Sequence, residues 1–270
     1  MPRRARLDAE LVRRGLARSR DQAAELVHAG RVRIAGQTAT KPATAVDPAT
    51  PLIVDGAPDG PEYVSRGGHK LAGALDAFPG LVIEGRRCLD AGASTGGFTD
   101  VLLRRGAREV VAVDVGYGQL AWVLRTDGRV RVLDRTNVRA LTPEHIGGPA
   151  ELTVADLSFI SLAPVLPALA GCTVPGGDLL PMVKPQFEVG RERVGAGGVV
   201  RDPRLRAAAV ADVAATAAGL GFGVAGVTAS PLPGPSGNVE YFLWLRTGAP
   251  PAGDPATAAA IEAAVASGPQ

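Results

Sequence analysis

Four charged residues could carry out chemistry together: Lys70, Asp156, Lys184 and Glu240. They are far apart in the sequence, and each lies in or beside an apolar stretch. Because a buried charge is costly unless an opposite charge shares its site, two lysines and two carboxylates predict one balanced pocket. A lysine whose amine is partly neutral could there remove a proton from a substrate hydroxyl. Each residue could alone form a structural ion pair, and only their convergence would favour catalysis.

A glycine-rich turn, DAGASTGGFT at residues 90–99, could hold a cofactor beside this pocket. Its glycines let backbone N–H groups approach a ligand closely, although an ordinary tight turn would also explain them. The G-x-G-x-x-G pattern of dinucleotide binders is absent. A carboxylate at Asp90 would repel a pyrophosphate, whereas it suits the ammonium group and hydroxyls of S-adenosylmethionine.

Two further carboxylates follow the next two candidate strands. Asp114 ends the second strand, where an acidic side chain typically accepts from a ribose diol. Asp134 ends the third strand and could meet the adenine amino group. The sequence therefore predicts a site for S-adenosylmethionine formed by Asp90, Gly92, Ser94, Gly96, Gly97, Phe98, Asp114 and Asp134.

The elements that must position these residues alternate between apolar strands and helices from Arg87 onward. The alternation predicts an α/β fold with a doubly wound, Rossmann-like sheet and ligands at the carboxyl ends of its strands. We expect the last two strands to form an antiparallel hairpin at one edge and a long helix to run from Pro203 to Gly219. The predicted strands are Arg87–Asp90, Val110–Val115, Val130–Leu133, Leu152–Ala155, Asp178–Val183, Gly223–Thr228 and Glu240–Leu245.

The N-terminal residues form a small basic module. Residues 1–41 carry a net charge of +6 and the remaining residues −4, which favours contact with a polyanion, although a solvated helix face would carry the same charge. Apolar spacing predicts a first helix that ends at Gly15 and a second helix that Ser19 opens with a capping box. A strand at 31–34 follows, and Leu52–Val54 is expected to complete a small sheet.

Composition limits the other possibilities. The 270 residues suffice for one large and one small domain, and no apolar run is long enough to span a membrane. Cys88 and Cys172 are expected to be reduced core residues, which favours the cytoplasm. The three histidines and two cysteines have no ligand spacing, so no metal site is expected. We expect a monomer without stable membrane association.

The N-terminal module resembles the S4 RNA-binding domain. The resemblance rests on the order helix, helix, strand and turn and on the string LxxRGLARSRDQAAELVHAGRVRIAG. It implies binding to structured RNA through phosphate contacts and shape. The candidate RNA-binding residues are Arg4, Arg6, Arg18, Arg20, Lys41 and, beyond the module, Arg66.

The larger part of the chain is similar to FtsJ/RrmJ-like ribose 2′-O-methyltransferases, which carry the same order of lysine, aspartate, lysine and glutamate on a class I methyltransferase sheet. With the S4 module and the strings SRGGHKL, VDVGYGQLAW, VADLSFISL, VKPQFEVG and SPLPGPSGNVEYFLWL, it resembles the TlyA family over roughly residues 1–246. That resemblance implies S-adenosylmethionine-dependent 2′-O-methylation of cytidine in ribosomal RNA. The segment MPRRAR and the longer C-terminus resemble the form that modifies the RNA of both subunits.

The resemblance gives the four charged residues separate roles. Lys184 would be the base, Lys70 a second cation that steadies the developing alkoxide, and Asp156 and Glu240 would orient the lysines. Two carboxylates could instead keep the lysines charged, so the protonation state of Lys184 stays open. Pro185 and Phe187 would shape the pocket of the target nucleotide.

Four segments are expected along the chain: an S4 domain at 1–60, a linker at 61–65, a methyltransferase domain at 66–247 and a low-complexity tail at 248–270. The family's linker pattern Arg-Ala-Trp-Val is replaced by Pro61–Val64, and only Val64 is retained. The loss of the basic residue leaves the coupling between RNA docking and cofactor affinity open.

Other functions remain possible at this point. A non-catalytic RNA-binding or ribosome-assembly factor could keep the same fold. The family's historical label of hemolysin suggests membrane lysis, but no amphipathic stretch with a basic polar face supports it. Pseudouridine synthases also carry S4 modules, but this chain lacks their nucleophilic-aspartate pattern.

Overall fold

A computed structural model describes residues 4–17, 19–55 and 63–269. The chain divides into two compact units, the N-terminal unit Met1–Glu62 and the C-terminal unit Tyr63–Gln270. The predicted RNA-binding residue Arg18 and the linker residues Pro61 and Glu62 lie outside the described residues.

The N-terminal unit packs two helices against short strands. Ser19 caps the second helix and accepts from the backbone N–H of Gln22 (3.1 Å), as the sequence predicts. A three-stranded antiparallel sheet has the order β3-β2-β5, and β1 pairs with β4. Leu7, Leu11 and Val27 are buried between these elements. The elements are β1 (Ala5–Arg6), α1 (Leu7–Arg13), α2 (Arg20–His28), β2 (Val32–Ile34), β3 (Gln37–Thr38), β4 (Ala45–Val46) and β5 (Leu52–Val54).

The C-terminal unit alternates strands and helices. In chain order its elements are α3 (Arg66–Ala77), β6 (Arg87–Ala91), α4 (Gly97–Arg104), β7 (Glu109–Val113), α5 (Trp122–Arg125), β8 (Val130–Leu133), α6 (Pro143–Ile146), β9 (Ala150–Ala155), α7 (Leu166–Gly171), β10 (Thr173–Val183), α8 (Pro185–Glu188), α9 (Pro203–Ala218), β11 (Gly223–Ala229), β12 (Tyr241–Arg246) and α10 (Pro255–Ser267).

Seven strands form one sheet in the order β11-β12-β10-β9-β6-β7-β8. The five strands from β6 to β10 pair in parallel, and β12 is antiparallel to both of its neighbours. This confirms the predicted doubly wound α/β sheet with its antiparallel edge hairpin. The chain runs outward from β6 in one direction and from β9 in the other, so the crevice at their carboxyl ends is the topological switch point where such sheets bind ligands.

Apolar side chains cover both faces of this sheet. Along β6, Leu89 enters the core on one face and Cys88 enters the core on the other, as expected for a strand buried on both sides. Fully burying each such side chain contributes about 1.5–3 kcal/mol. The packed core thus fixes the ends of the strands, and it thereby fixes the positions of the polar residues that follow them.

Helix α3 and the linker residues differ from the sequence expectations. The apolar residues after Lys70 predict a helix that follows it, but helix α3 begins at Arg66, so Lys70 lies within the helix. Glycine disfavours helices, but a Cβ at Gly68 would overlap Tyr63, so close packing requires the glycine. Tyr63 and Val64, assigned above to the linker, lie in the C-terminal unit, where Val64 N donates to the buried Asp100 (3.0 Å).

The sequence of the low-complexity tail allows a short helix at 256–266, and the structure contains one. Residues 255–267 form α10, whose Ile261, Ala264 and Val265 are buried in the core of the C-terminal unit. Asp254 caps this helix by accepting from Ala256 N (2.8 Å). Within the described part of the chain, no helix has the length and apolar character needed to cross a membrane.

Candidate active site

Asp90 lies at the end of β6 and is fully buried. Its Oδ2 accepts from Thr99 Oγ1 (2.6 Å), whereas Oδ1 is buried without a hydrogen-bond partner among the described residues. Burial raises the pKa of Asp90 to about 7, and the nearby Asp156 contributes to the rise. A buried carboxylate with a free oxygen is suited to a ligand that brings a positive charge or a donor.

The turn after Asp90 can be formed only with glycine at two points. Gly92 has a φ of 88° and Gly96 a φ of 98°, conformations that glycine adopts readily and other residues rarely do. A Cβ at Gly92 would overlap the carbonyl oxygen of Asp156, and a Cβ at Gly96 would overlap Leu124. Gly92 therefore brings the turn directly against Asp156, the residue that follows β9.

Two other predicted cofactor residues make contacts within the protein. Gly97 begins α4, and a Cβ there would overlap Ser65. Phe98 is buried and packs against Phe242, with ring centroids 5.8 Å apart. The structure thus places Phe98 in the core behind the turn.

The carboxylates after β7 and β8 hold the neighbouring backbone. Asp114 accepts from Ser94 N (2.8 Å) and from Gly116 N (2.6 Å), so it fixes the glycine-rich turn and keeps further lone pairs for a ligand. Asp134 accepts from Arg125 Nη2 (2.5 Å). This guanidinium holds the pKa of Asp134 below its usual range.

The four charged residues form two ion pairs. Lys184 Nζ lies 2.5 Å from Asp156 Oδ1, and Lys70 Nζ lies 2.5 Å from Glu240 Oε2. Both lysines are 7% exposed and Glu240 is 1% exposed, whereas the side chain of Asp156 is 25% exposed. Asp156 follows β9, Lys184 follows β10, and Glu240 precedes β12 rather than beginning it as predicted.

Lys184 has a second partner that sequence reasoning missed. Its Nζ donates to Ser158 Oγ (2.9 Å). Phe159, the next residue, is 92% exposed, has a φ of 65° and packs on Phe187, with ring centroids 5.4 Å apart. Ser158 and Phe159 lie in the string VADLSFIS, just after a strand. This position was the only feature of the sequence that could have indicated a role for them.

The N-terminal unit brings two predicted RNA-binding residues together. Arg6 and Arg20 both donate to Asp8 (2.8 and 3.2 Å) and line a depression of about 480 Å³. The Arg6 guanidinium, with Arg20, lowers the pKa of Asp8 to about 2. Arg4 and Lys41 are exposed. In the C-terminal unit, Arg66 donates to the carbonyl of Pro233 (3.1 Å) and so holds the loop before Glu240.

Known proteins share this organisation. A family described as FtsJ-like methyltransferase matches residues 63–247, and the S4 domain matches residues 5–50. The 16S/23S rRNA (cytidine-2′-O)-methyltransferase TlyA of Mycobacterium tuberculosis is 68% identical over 248 residues, which cover 92% of this chain and 91% of the relative. The chain belongs to the TlyA family of FtsJ-like methyltransferases.

A further relative and a solved structure each match two thirds or more of this chain. The 23S rRNA (cytidine-2′-O)-methyltransferase TlyA of Campylobacter jejuni is 36% identical over 183 residues, which cover 67% of this chain and 70% of the relative. A solved structure from Streptococcus thermophilus, provisionally named a hemolysin, superposes with a TM-score of 0.77 at 41% identity. It covers 98% of this chain and 96% of its own.

The loop between β11 and β12, part of the string SPLPGPSGNVEYFLWL, holds the chain around Glu240. A Cβ at Gly234 would lie 2.6 Å from Glu240 Oε1, so the missing side chain makes room for the carboxylate. Asn238 donates to the carbonyl of Gly198 (2.8 Å) and accepts from Val200 N (2.9 Å). These contacts fix the chain just before Glu240.

Proposed function

We propose that this chain transfers the methyl group of S-adenosylmethionine to the ribose 2′-oxygen of cytidine in ribosomal RNA, in both the small and the large subunit. The observation that carries the proposal is the buried amine of Lys184, held by Asp156 and Ser158 at the carboxyl end of β10. The glycine-rich turn after Asp90 lies against Asp156, the ion-pair partner of Lys184.

The residues at the turn fit S-adenosylmethionine. The unpartnered Asp90 Oδ1 would accept from its ammonium group, and the backbone of Gly92, Ser94, Gly96 and Gly97 would line the remainder of the site. Asp114 would accept from the ribose diol. The bound cofactor supplies an electrophilic methyl group on a positively charged sulfur.

Lys184 would act as the base of this reaction and, with its amine neutral, would take up the 2′-hydroxyl proton on Nζ. A ribose hydroxyl is a poor nucleophile, so it must lose its proton as it attacks. Asp156 and Ser158 occupy two directions around Lys184 Nζ and would aim the nitrogen at the 2′-hydroxyl. Lys70, paired with Glu240, would stabilise the negative charge that develops on the 2′-oxygen.

RNA recognition would begin in the N-terminal unit. Arg4, Arg6, Arg18, Arg20 and Lys41 would contact phosphates and thus position the RNA without reading its sequence. In the C-terminal unit Arg66 would contact the RNA as well. The exposed ring of Phe159, supported by Phe187, would provide a surface on which the target base can stack.

The proposed division is an S4 domain at 1–60 and a methyltransferase domain that corresponds to the C-terminal unit, which includes Tyr63 and Val64 of the expected linker and helix α10 of the expected tail. The protein would act as a monomer in the cytoplasm, where it meets ribosomal subunits. Two buried free cysteines, Cys88 and Cys172, are compatible with a reducing compartment.

The test is methyl transfer from labelled S-adenosylmethionine to ribosomal subunits that lack the modification, followed by nucleoside analysis. We expect 2′-O-methylcytidine with the natural chain. Lys184→Ala should retain cofactor binding and lose transfer, and Asp76→Ala, which changes an exposed ion pair, should match the natural chain. Binding of cofactor and RNA without transfer by the natural chain would instead identify a non-catalytic factor. Natural turnover in Lys184→Ala would remove Lys184 from the reaction.

A further inference from the structure

Glu188 ends helix α8, four residues after Lys184, and its carboxylate holds the segment that follows β9. Its Oε2 accepts from Ser161 Oγ (2.6 Å), and its Oε1 accepts from Leu162 N (2.9 Å). Leu162 is itself buried in the core. Burial raises the pKa of Glu188, and the two donors offset part of the cost of keeping a carboxylate there.

The same segment carries the hydroxyl that touches the proposed base. Ser158 Oγ accepts from Lys184 Nζ (2.9 Å). The next residue, Phe159, has a φ of 65°, a left-handed conformation that is unfavourable for a bulky side chain. Such a conformation persists only where the surroundings impose it. The hydrogen bonds to Glu188 fasten the segment just beyond this residue and so help to impose it.

We propose that Glu188 is a positioning residue for Lys184 and acts through the Ser158 hydroxyl. The inference rests on the proposed function, because it takes Lys184 as the base. Glu188 fixes the segment, the segment places Ser158 Oγ, and this oxygen, together with Asp156, directs Lys184 Nζ. Without the carboxylate two donors lose their acceptor, and the left-handed residue can relax and move Ser158.

Single-turnover methyl transfer by the full chain measures this effect. For Glu188→Ala we expect a rate about 10- to 100-fold lower, the loss that a displacement of about 1 Å at a reacting group produces. The Michaelis constant for ribosomal subunits and the affinity for S-adenosylmethionine, measured by calorimetry, should stay within about twofold. The matched control is Glu192→Ala, because Glu192 is an exposed carboxylate on the neighbouring turn.

Glu188→Gln separates the hydrogen bonds from the charge. The amide oxygen can accept from Leu162 N, and the Ser161 hydroxyl can rotate to accept from the amide nitrogen. Because both contacts survive, we expect a rate within about threefold of the natural chain. A rate as low as that of Glu188→Ala would show that the charge matters rather than the position, which would overturn the proposal.

A double-mutant cycle with Ser158→Ala tests the route from Glu188 to Lys184. If Glu188 acts through Ser158, the double variant is no slower than the slower single variant, because the second change breaks a path already broken. Multiplying losses would overturn the proposal. If Glu188→Ala does not fold, Ser161→Ala takes its place in the cycle. Ser161→Ala removes one of the two hydrogen bonds to Glu188, and we expect it to lower the rate about 3- to 10-fold.

Methyl transfer by the natural chain tests the proposed function separately from the role of Glu188. If it transfers no methyl group to ribosomal subunits, the proposed function fails. If it transfers at full rate and Glu188→Ala matches it, the function stands and the role of Glu188 is refuted.

Discussion

The buried ion pair of Lys70 and Glu240 yields a stability difference that can be measured directly. Lys70 is 7% exposed and Glu240 is 1% exposed, and their charged atoms lie 2.5 Å apart. Glu240→Ala leaves the Lys70 ammonium buried without a counter-charge. We therefore expect the variant to unfold more easily than the natural chain, whatever its effect on catalysis.

The magnitude follows from burial. At an effective dielectric constant of about 20, charges at this distance attract by about 7 kcal/mol, and desolvation of the two ions offsets most of that gain. Removing one partner of Lys70–Glu240 keeps the desolvation cost of the other without the attraction. Such changes typically cost about 3–5 kcal/mol. Lys70→Met combined with Glu240→Leu removes both charges and should recover most of the loss.

A matched surface pair supplies the control. Arg105 and Asp76 are also 2.5 Å apart, but their side chains are 41% and 67% exposed. Because water screens this pair, Asp76→Ala should change stability by less than about 1 kcal/mol. Because the two ion pairs have the same distance and differ in burial, a difference between the two stability losses would be caused by burial.

The assay is urea unfolding followed by tryptophan fluorescence. The chain has two tryptophans, Trp122 and Trp244, and both lie in the C-terminal unit, so the signal reports that unit alone. A loss below about 1 kcal/mol for Glu240→Ala, equal to the surface control, would refute the reasoning. So would a double variant as unstable as Glu240→Ala.

Three further changes address the cofactor, the loop and the RNA. Burial raises the pKa of Asp90 to about 7, so the contribution of Asp90 to stability is present at low pH and is lost as the pH rises through 7. Asp90→Asn should flatten the pH dependence of the free energy of unfolding. The same variant should weaken S-adenosylmethionine binding, as measured by calorimetry. Gly234→Ala places a Cβ 2.6 Å from Glu240 Oε1 and should slow methyl transfer about tenfold without changing cofactor affinity. Arg20→Ala should weaken RNA binding and reduce the slope of affinity against salt by about 1, whereas Arg13→Ala should not.

Residues at strand ends were the predictable part of the site. Apolar runs locate β9 and β10 in the sequence, and the sheet topology then forces Asp156 and Lys184 into the same crevice. Their ion pair of 2.5 Å is the direct result. The capping role of Ser19 was equally accessible, because a cap depends on residues three positions apart.

Contacts that depend on packing between distant segments were not predictable. Glycines normally weaken a helix, so the start of α3 at Arg66 could not be read from Gly67 and Gly68. Their place follows from the fit of Gly68 against Tyr63. Glu188 meets Ser161 only because α8 folds back on the segment after β9, a contact that no local pattern encodes.

The most direct test of the central claim is a map of 2′-O-methyl positions in ribosomal RNA from cells with this gene, without it and with the Lys184→Ala variant. The account predicts methylated cytidines, in the RNA of both subunits, that occur only with the natural gene. Identical methylation maps in all three strains would contradict ribose methylation of ribosomal RNA by this chain.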